Sequence, residues 1–179
     1  MLKNDYFPKI ATEVMSKPFI NLSEIKLETQ QHGDNFFAQM GSIANLLGGE
    51  KLGCRLTVLP PGKKAFPYHC HHVNEEMFII WEGKGSLRFG ENIYEVKKGD
   101  VIITPAGGKH TAHQLINTSD ADLVYLAIST KEEPDVMEYP DSGKFGVLVG
   151  AAPGGDKTKR RFTFFGHQDS QVDYWEGES

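Results

Sequence analysis

From Leu52 onward the hydrophobic positions recur with a period of two. Leu52, Cys54, Leu56 and Val58 alternate with Gly53, Arg55 and Thr57, which predicts a half-buried strand. Pro60-Pro61-Gly62 ends that run with a turn. Short β-type runs follow at Met77 to Trp81, Ser86 to Phe89, Ile93 to Val96, Val101 to Thr104, Thr111 to Ile116 and Leu123 to Ile128. Turn sequences stand between them: E-G-K-G at 82–85, G-E-N at 90–92, K-K-G-D at 97–100 and N-T-S-D at 117–120. Many short strands punctuated in this way predict an all-β sandwich or barrel.

The flanks are less regular. Residues 1–51 form a lead-in broken early by Pro8 and Pro18, with one helical turn expected at Ile43 to Leu47 before Gly48-Gly49 stops it. Extended pieces around Phe19-Ile20 and Phe36 to Met40 are material for pairing with a sheet edge or a second subunit. Residues 131–150 carry a Y-P-D-S-G turn and a strand-like F-G-V-L-V; 151–161 are Gly- and Lys-rich and read as a loop. The tail then returns to aromatic residues (Phe162, Phe164, Phe165, Tyr174, Trp175), part of which is expected to pack. The chain thus divides into an N-terminal extension (1–51), a barrel (52–150) and a C-terminal tail (151–179).

Composition narrows the partners. The 179 residues are 39% hydrophobic and 24% charged, the make-up of an ordinary globular domain. A net charge of -5 disfavours nucleic acid, which is held by clustered Lys and Arg. The pairs Lys63-Lys64 and Arg160-Arg161 read as solvated. No stretch approaches the roughly 20 apolar residues of a membrane helix, and the first ten residues lack the apolar core of a signal peptide. Two cysteines, Cys54 and Cys70, are too few for a disulfide framework. The expectation is a cytoplasmic protein with both thiols reduced.

The candidate chemistry is concentrated in histidine. Five of the seven histidines fall in two short windows: His69, His71 and His72, then His110 and His113. His69 and His71 are two apart, so on a strand both point to one face while Cys70 points away as a buried structural thiol. Glu76 opens the next apolar run and offers a carboxylate. Imidazole with carboxylate suits one divalent transition metal (Fe, Mn, Ni, Zn or Cu), and is a poor match to an all-oxygen Ca or Mg cage.

These residues resemble the cupins, small jelly-roll barrels. Their first motif is matched by Gly62, His69, His71, Glu76 and Gly83, with six residues instead of the usual five between Gly62 and His69. Counting back from Gly83 selects Glu76 over Glu75. The second motif is matched in register by Gly99, Pro105 and Gly107. Its histidine has two candidates. His110 fits the count forward from Gly107 but places Gln114 at the motif's Asn; His113 places Asn117 there, at the cost of three extra loop residues. His113 is favoured because a ligand must sit at a fixed point on its strand, whereas loop length is the softer variable. His110 remains the alternative fourth ligand, or a catalytic group beside the site, and His72 is a rim residue. The motifs are Lys84 to Lys98 apart, the spacing of compact single-domain cupins, and the resemblance covers about Leu52 to Thr130.

The resemblance implies a double-stranded β-helix with a metal held by His69, His71, Glu76 and His113. Residues sharing the ligands' parity, Phe78, Ile80 and Leu115, should then line the cavity, with Phe66 and Tyr68 at its mouth. Phe66, Tyr68, Phe78 and Tyr125 are the substrate-binding candidates, and Arg55, Arg88 and Tyr125 are those for a ligand carboxylate or phosphate. The expected activity is that of an isomerase on a sugar derivative or of a dioxygenase; a non-catalytic storage or sensing module is the alternative. A homodimer is expected as well.

Overall fold

The alternation is realised in a computed structural model that describes residues 17–153 and 155–178. Pro8 and the first ten residues, on which two of the expectations above rest, lie outside the described residues. The strands, in chain order, are β1 (Glu28–His32), β2 (Phe36–Ser42), β3 (Leu52–Leu59), β4 (Cys70–His71), β5 (Glu76–Glu82), β6 (Lys84–Phe89), β7 (Asn92–Lys97), β8 (Val101–Thr104), β9 (His113–Ile116), β10 (Leu123–Thr130), β11 (Asp135–Tyr139), β12 (Lys144–Val149) and β13 (Phe162–His167). Each β-type run expected from Met77 to Ile128 is a strand, except that the last run before the N-T-S-D turn begins as a short 3-10 turn (Lys109–Thr111) and pairs only from His113.

One layer is a six-stranded sheet in the order β1-β2-β3-β10-β5-β8. The other is built from β13-β12-β11-β4 and β7-β6-β9. An antiparallel bridge between His69 and His113 joins these two pieces, His69 N–H donating to His113 O at 3.2 Å and His113 N–H to His69 O at 2.8 Å. Lys64 closes the barrel elsewhere by bridging Phe36 and Ile116. The result is the expected all-β double-stranded β-helix. Between the layers lies one apolar core of Ala38, Leu59, Ala65, Phe78, Ile80, Leu87, Val96, Leu115, Leu123 and Tyr125, drawn from both layers.

The face that β3 buries differs from the hydrophobic pattern. Leu56 is buried as expected, but Leu59 and Thr57 are more completely so, whereas Cys54 and Val58 are half-buried and Leu52 is exposed. Register is the cause. β10 pairs Leu123 with Leu59, Tyr125 with Thr57 and Ala127 with Arg55, and directly opposed side chains share a face. Arg55 and Thr57 therefore look into the barrel, and the polar half of the alternation lines its interior. The same parity places Glu76, Phe78 and Ile80 of β5 inside.

Turns and flanks follow their residue chemistry. Gly83 joins β5 to β6 at φ 81°, and a Cβ there would collide with the Asp122 carbonyl, so only glycine serves. The helical turn expected at 43–47 closes with Leu47 N–H on Ile43 O at 3.1 Å. Residues 36–42 pair with β3 and carry Ala38 into the core. In the tail, β13 adds to β12, while Phe162, Phe164 and Phe165 stay 42–52% exposed and Tyr174 and Trp175 more so. Cys70 is fully buried with Tyr68 and Ala112.

Truncation of the core should be costly. Leu59→Ala is expected to lower unfolding free energy by about 2–5 kcal/mol, measured by urea denaturation. The exposed Leu52→Ala should shift it by less than about 0.5 kcal/mol.

Candidate metal centre

Four side chains meet inside the barrel at one carboxylate oxygen. Glu76 Oε2 is 2.8 Å from His113 Nε2, 3.6 Å from His71 Nε2 and 3.9 Å from His69 Nε2. His69, His71 and Glu76 form a group whose ligand atoms lie within 4.8 Å of one another. His113 joins it through its hydrogen bond to Glu76. The His69–His113 bridge explains the pairing of these two rings, whose centroids are 4.8 Å apart. His71 follows two residues later on the same face, its ring 5.0 Å from that of His69.

The far side of each imidazole is committed to an acceptor. Nδ1 of His69 faces Pro67 O at 2.8 Å, that of His113 faces Thr111 O at 3.2 Å, and that of His71 faces Asp135 Oδ2 at 2.7 Å. Protonation at Nδ1 satisfies the contacts of His69 and His71 and leaves their Nε2 lone pairs aimed inward, whereas His113 hydrogen-bonds Glu76 through its Nε2. Outer acceptors of this kind fix tautomer and ring orientation in metal sites. The donor set of three imidazoles and one carboxylate therefore fits a divalent transition metal.

The electrostatics agree with that arrangement. Burial pushes His69 down to about 3, helped by the neighbouring His113, so its ring stays neutral. Burial alone would raise the Glu76 carboxyl. The hydrogen bond from His113 and the proximity of His71, His113 and His69 outweigh it and hold Glu76 well below the usual carboxylate range. His71 moves the other way: burial opposes its charged form, but the Asp135 hydrogen bond and the Glu76 and Asp135 charges raise it.

The structure sorts the remaining sequence candidates by position. His113, buried at 3% exposure, stands in the cluster, while His110 is exposed on the 3-10 turn outside it. Asn117 is fully buried at the end of β9; its side chain donates to Leu59 O and Ala121 O and accepts from Ser119. Gly107 N–H donates to His71 O at 2.7 Å, tying the second motif to the first. Phe78 packs on His113 and against Tyr125 beneath it, with centroids at 5.5 and 5.9 Å. Phe66 lies 6.5 Å from the His69 ring and under the Arg55 guanidinium.

Other candidates lie elsewhere. Tyr68 is on the opposite face with Cys70, its hydroxyl donating to Gly90 O at 2.6 Å. Arg88 sits over the Tyr68 ring and pairs with Asp141 at 2.7 Å, away from the cluster. His72 pairs with Glu138 at 2.7 Å on that same outer face.

Two contributors were not foreseen. Asp135 is fully buried and orients His71; Tyr139 stacks on His69 with centroids 6.0 Å apart, burial pushing its hydroxyl up to about 12. Both lie on β11, where Asp135, Met137 and Tyr139 alternate toward the site. That period-two signal was present in D-V-M-E-Y, hidden by the turn sequence beside it.

A cavity of about 180 Å³ opens beside the cluster, lined by Glu76, Arg55, Lys131, Ser42, Asn45 and Ser129 among others. Among the described residues, no helix is long and apolar enough to cross a membrane.

Comparison with known proteins extends these findings. A family model described as a cupin domain matches residues 55–129. An uncharacterized protein of Methanocaldococcus jannaschii is 31% identical over 98 residues, which are 52% of this chain and 75% of that protein. A solved protein of Acidithiobacillus ferrooxidans, given as a proposed sugar phosphate isomerase, superposes with a TM-score of 0.71 at 26% identity, over 88% of this chain and 96% of its own. A cupin-superfamily sugar phosphate isomerase of Silicibacter pomeroyi also gives 0.71, at 20% identity over 89% and 98% of the chains, which bears on the fold.

Removing the charge of the outer acceptor should loosen the centre without unfolding it. Asp135→Asn is expected to weaken Mn or Zn binding about 10- to 100-fold in a chelator competition titration. His113→Ala should weaken it further, and His110→Ala should leave it unchanged.

Proposed function

This chain belongs to the cupin family, and from that premise we propose that it is a metal-dependent isomerase of a small sugar derivative. The observation that carries this reading is the double position of Glu76. Its carboxylate accepts from His113 and also borders the cavity, so the metal donors and the substrate space share a wall. His69, His71, His113 and Glu76 would hold the ion. When bound, it supplies Lewis acidity that polarises a carbonyl or hydroxyl of the substrate.

The chain's own groups account for the rest of the chemistry. An aldose–ketose isomerisation moves a proton between adjacent carbons and another between their oxygens, with no net redox change. It needs no organic cofactor and no dioxygen, which separates this reading from a dioxygenase. Among the described residues that line the cavity, Glu76 is the one carboxylate; its Oε2 faces the histidines, so only its other oxygen would be left to take and return a carbon-bound proton, and its lowered pKa makes it a weak base. Phe78 packs against His113 and helps keep water from that wall. The likeness to the Acidithiobacillus protein over almost its full length supports the sugar class.

A non-catalytic binding role is the second reading, favoured by the lack of a further acid–base pair among the described lining residues. Reconstitution with Mn, Fe, Ni, Zn and Cu, followed by assay on a panel of sugar phosphates, separates the two. Isomerisation should appear on metal loading, vanish with chelator and fall at least about a hundredfold in His71→Ala, since misplacing reacting groups by about 1 Å has that effect. Metal binding without turnover of any sugar in the panel would favour the binding role.

Self-association is part of the same proposal. β8 forms an edge of the six-stranded sheet and exposes Val101 and Ile103, with Trp81 of β5 exposed nearby. An apolar edge of this kind needs cover. Light scattering should give about twice the 20.0 kDa chain mass; a monomer only would overturn this part.

A further inference from the structure

The cavity beside the cluster carries a charge pattern that the metal donors do not explain. Arg55 enters it from β3 and Lys131 from the residue after β10, and Ser42, Asn45 and Ser129 add hydroxyl and amide groups. Two cations have thus been drawn to one small space. Among the described residues, no ion pair involves either of them.

Each cation is instead held by neutral groups that fix its position and leave its charge uncompensated. The Arg55 guanidinium lies over the Phe66 ring, 5.4 Å from its centroid, with Nη1 3.9 Å from Met40 Sδ. A guanidinium has five N–H donors, and a thioether sulfur is a weak acceptor for one of them. Lys131 Nζ donates to Gly49 O at 2.8 Å and to Asn45 Oδ1 at 3.3 Å. Burial and the charge of Lys159 both lower the Lys131 pKa, the direction expected of an ammonium without an anionic partner. Glu76, the carboxylate on the same cavity, is engaged by the histidines.

We infer that Arg55 and Lys131 form an oxyanion subsite for the phosphate of a phosphorylated substrate whose reacting end lies at Glu76. Two separate positive charges suit a phosphate monoester, which carries about −1.5 to −2 near pH 7, better than a single-charged carboxylate. The guanidinium fork adds bidentate geometry, and the ammonium acts as a second point charge. The assignment of the bound molecule as a substrate rests on the isomerase reading above; the anion site itself does not.

Inorganic phosphate is the probe. Full-length protein, metal-free and metal-loaded, is titrated with phosphate by calorimetry, with acetate in parallel. Phosphate should bind in both forms and more tightly than acetate. Arg55→Gln and Lys131→Gln should each weaken it roughly tenfold or more, and Arg55→Lys should weaken it less than Arg55→Gln. Metal stoichiometry and melting temperature of Arg55→Gln should match wild type, which guards against loss through misfolding. In the sugar panel, Arg55→Gln should raise KM for phosphorylated substrates more than it lowers kcat. Absent phosphate binding, or binding unchanged in Arg55→Gln, overturns the subsite, and acetate binding as tightly as phosphate overturns its assignment to phosphate. Phosphate binding that survives while no metal binds would sink the isomerase reading and leave the subsite standing.

Discussion

The site depends on two backbone hydrogen bonds, those exchanged between His69 and His113. In an antiparallel pair that trades both bonds, opposed side chains project to the same face at close range. Two imidazoles are thereby delivered side by side with no side-chain contact needed to bring them together. The same two bonds join β4 to β9, and with them two sheets that would otherwise be separate. His71 belongs to one of those sheets, His113 to the other, and Glu76 to the facing layer. The same two bonds therefore join the sheets and bring two of the donors together. Gly107 N–H on His71 O and Gly90 N–H on Ala112 O brace the bridge on either side.

Charge is arranged in two zones that do not cancel each other. At the cluster, Glu76 is balanced by three imidazoles whose outer nitrogens rest on Pro67, Thr111 and Asp135. Two strands over from Glu76 in the same sheet, on β3, Arg55 is supported by an aromatic face and a sulfur. The two zones differ in what they present to the cavity. The cluster turns ring nitrogens and a carboxylate inward, which suits a cation; the Arg55 zone turns N–H donors inward, which suits an anion. A molecule with an anionic end and a carbonyl end matches that polarity in one orientation.

Much of this was legible in the residues alone, because short strands and turns obey local rules. The alternation from Met77 to Ile128, the histidines two apart and the glycines at the turns all carry their meaning within a few positions. The choice of His113 over His110 rested on the same locality, since Asn117 holds the turn after β9 and His113 lies a fixed four residues before it. What stayed hidden depends on partners far away in the chain. The face that β3 buries is set by β10, some seventy positions on, so Leu52 and Cys54 looked internal, and Arg55 was one anion candidate among three with nothing local to single it out. Asp135 acquires its role only because β11 pairs with β4. Tyr68 was placed at the mouth by proximity to His69, yet an odd offset on a strand turns it to the opposite face.

The short 3-10 turn at Lys109–Thr111 has a broader implication. The three residues by which this loop exceeds the family spacing are taken up there, outside the barrel, between Gly107 and His113. Both ends of the loop are pinned, Gly107 to the His71 carbonyl and His113 to that of His69. Changes of length before Thr111 can be taken up as a bulge at the surface, while Thr111 itself, whose carbonyl faces His113 Nδ1, has to keep its place. The exposed part of the rim, Lys109 and His110, can therefore change without disturbing the centre, whereas the buried Thr111 cannot.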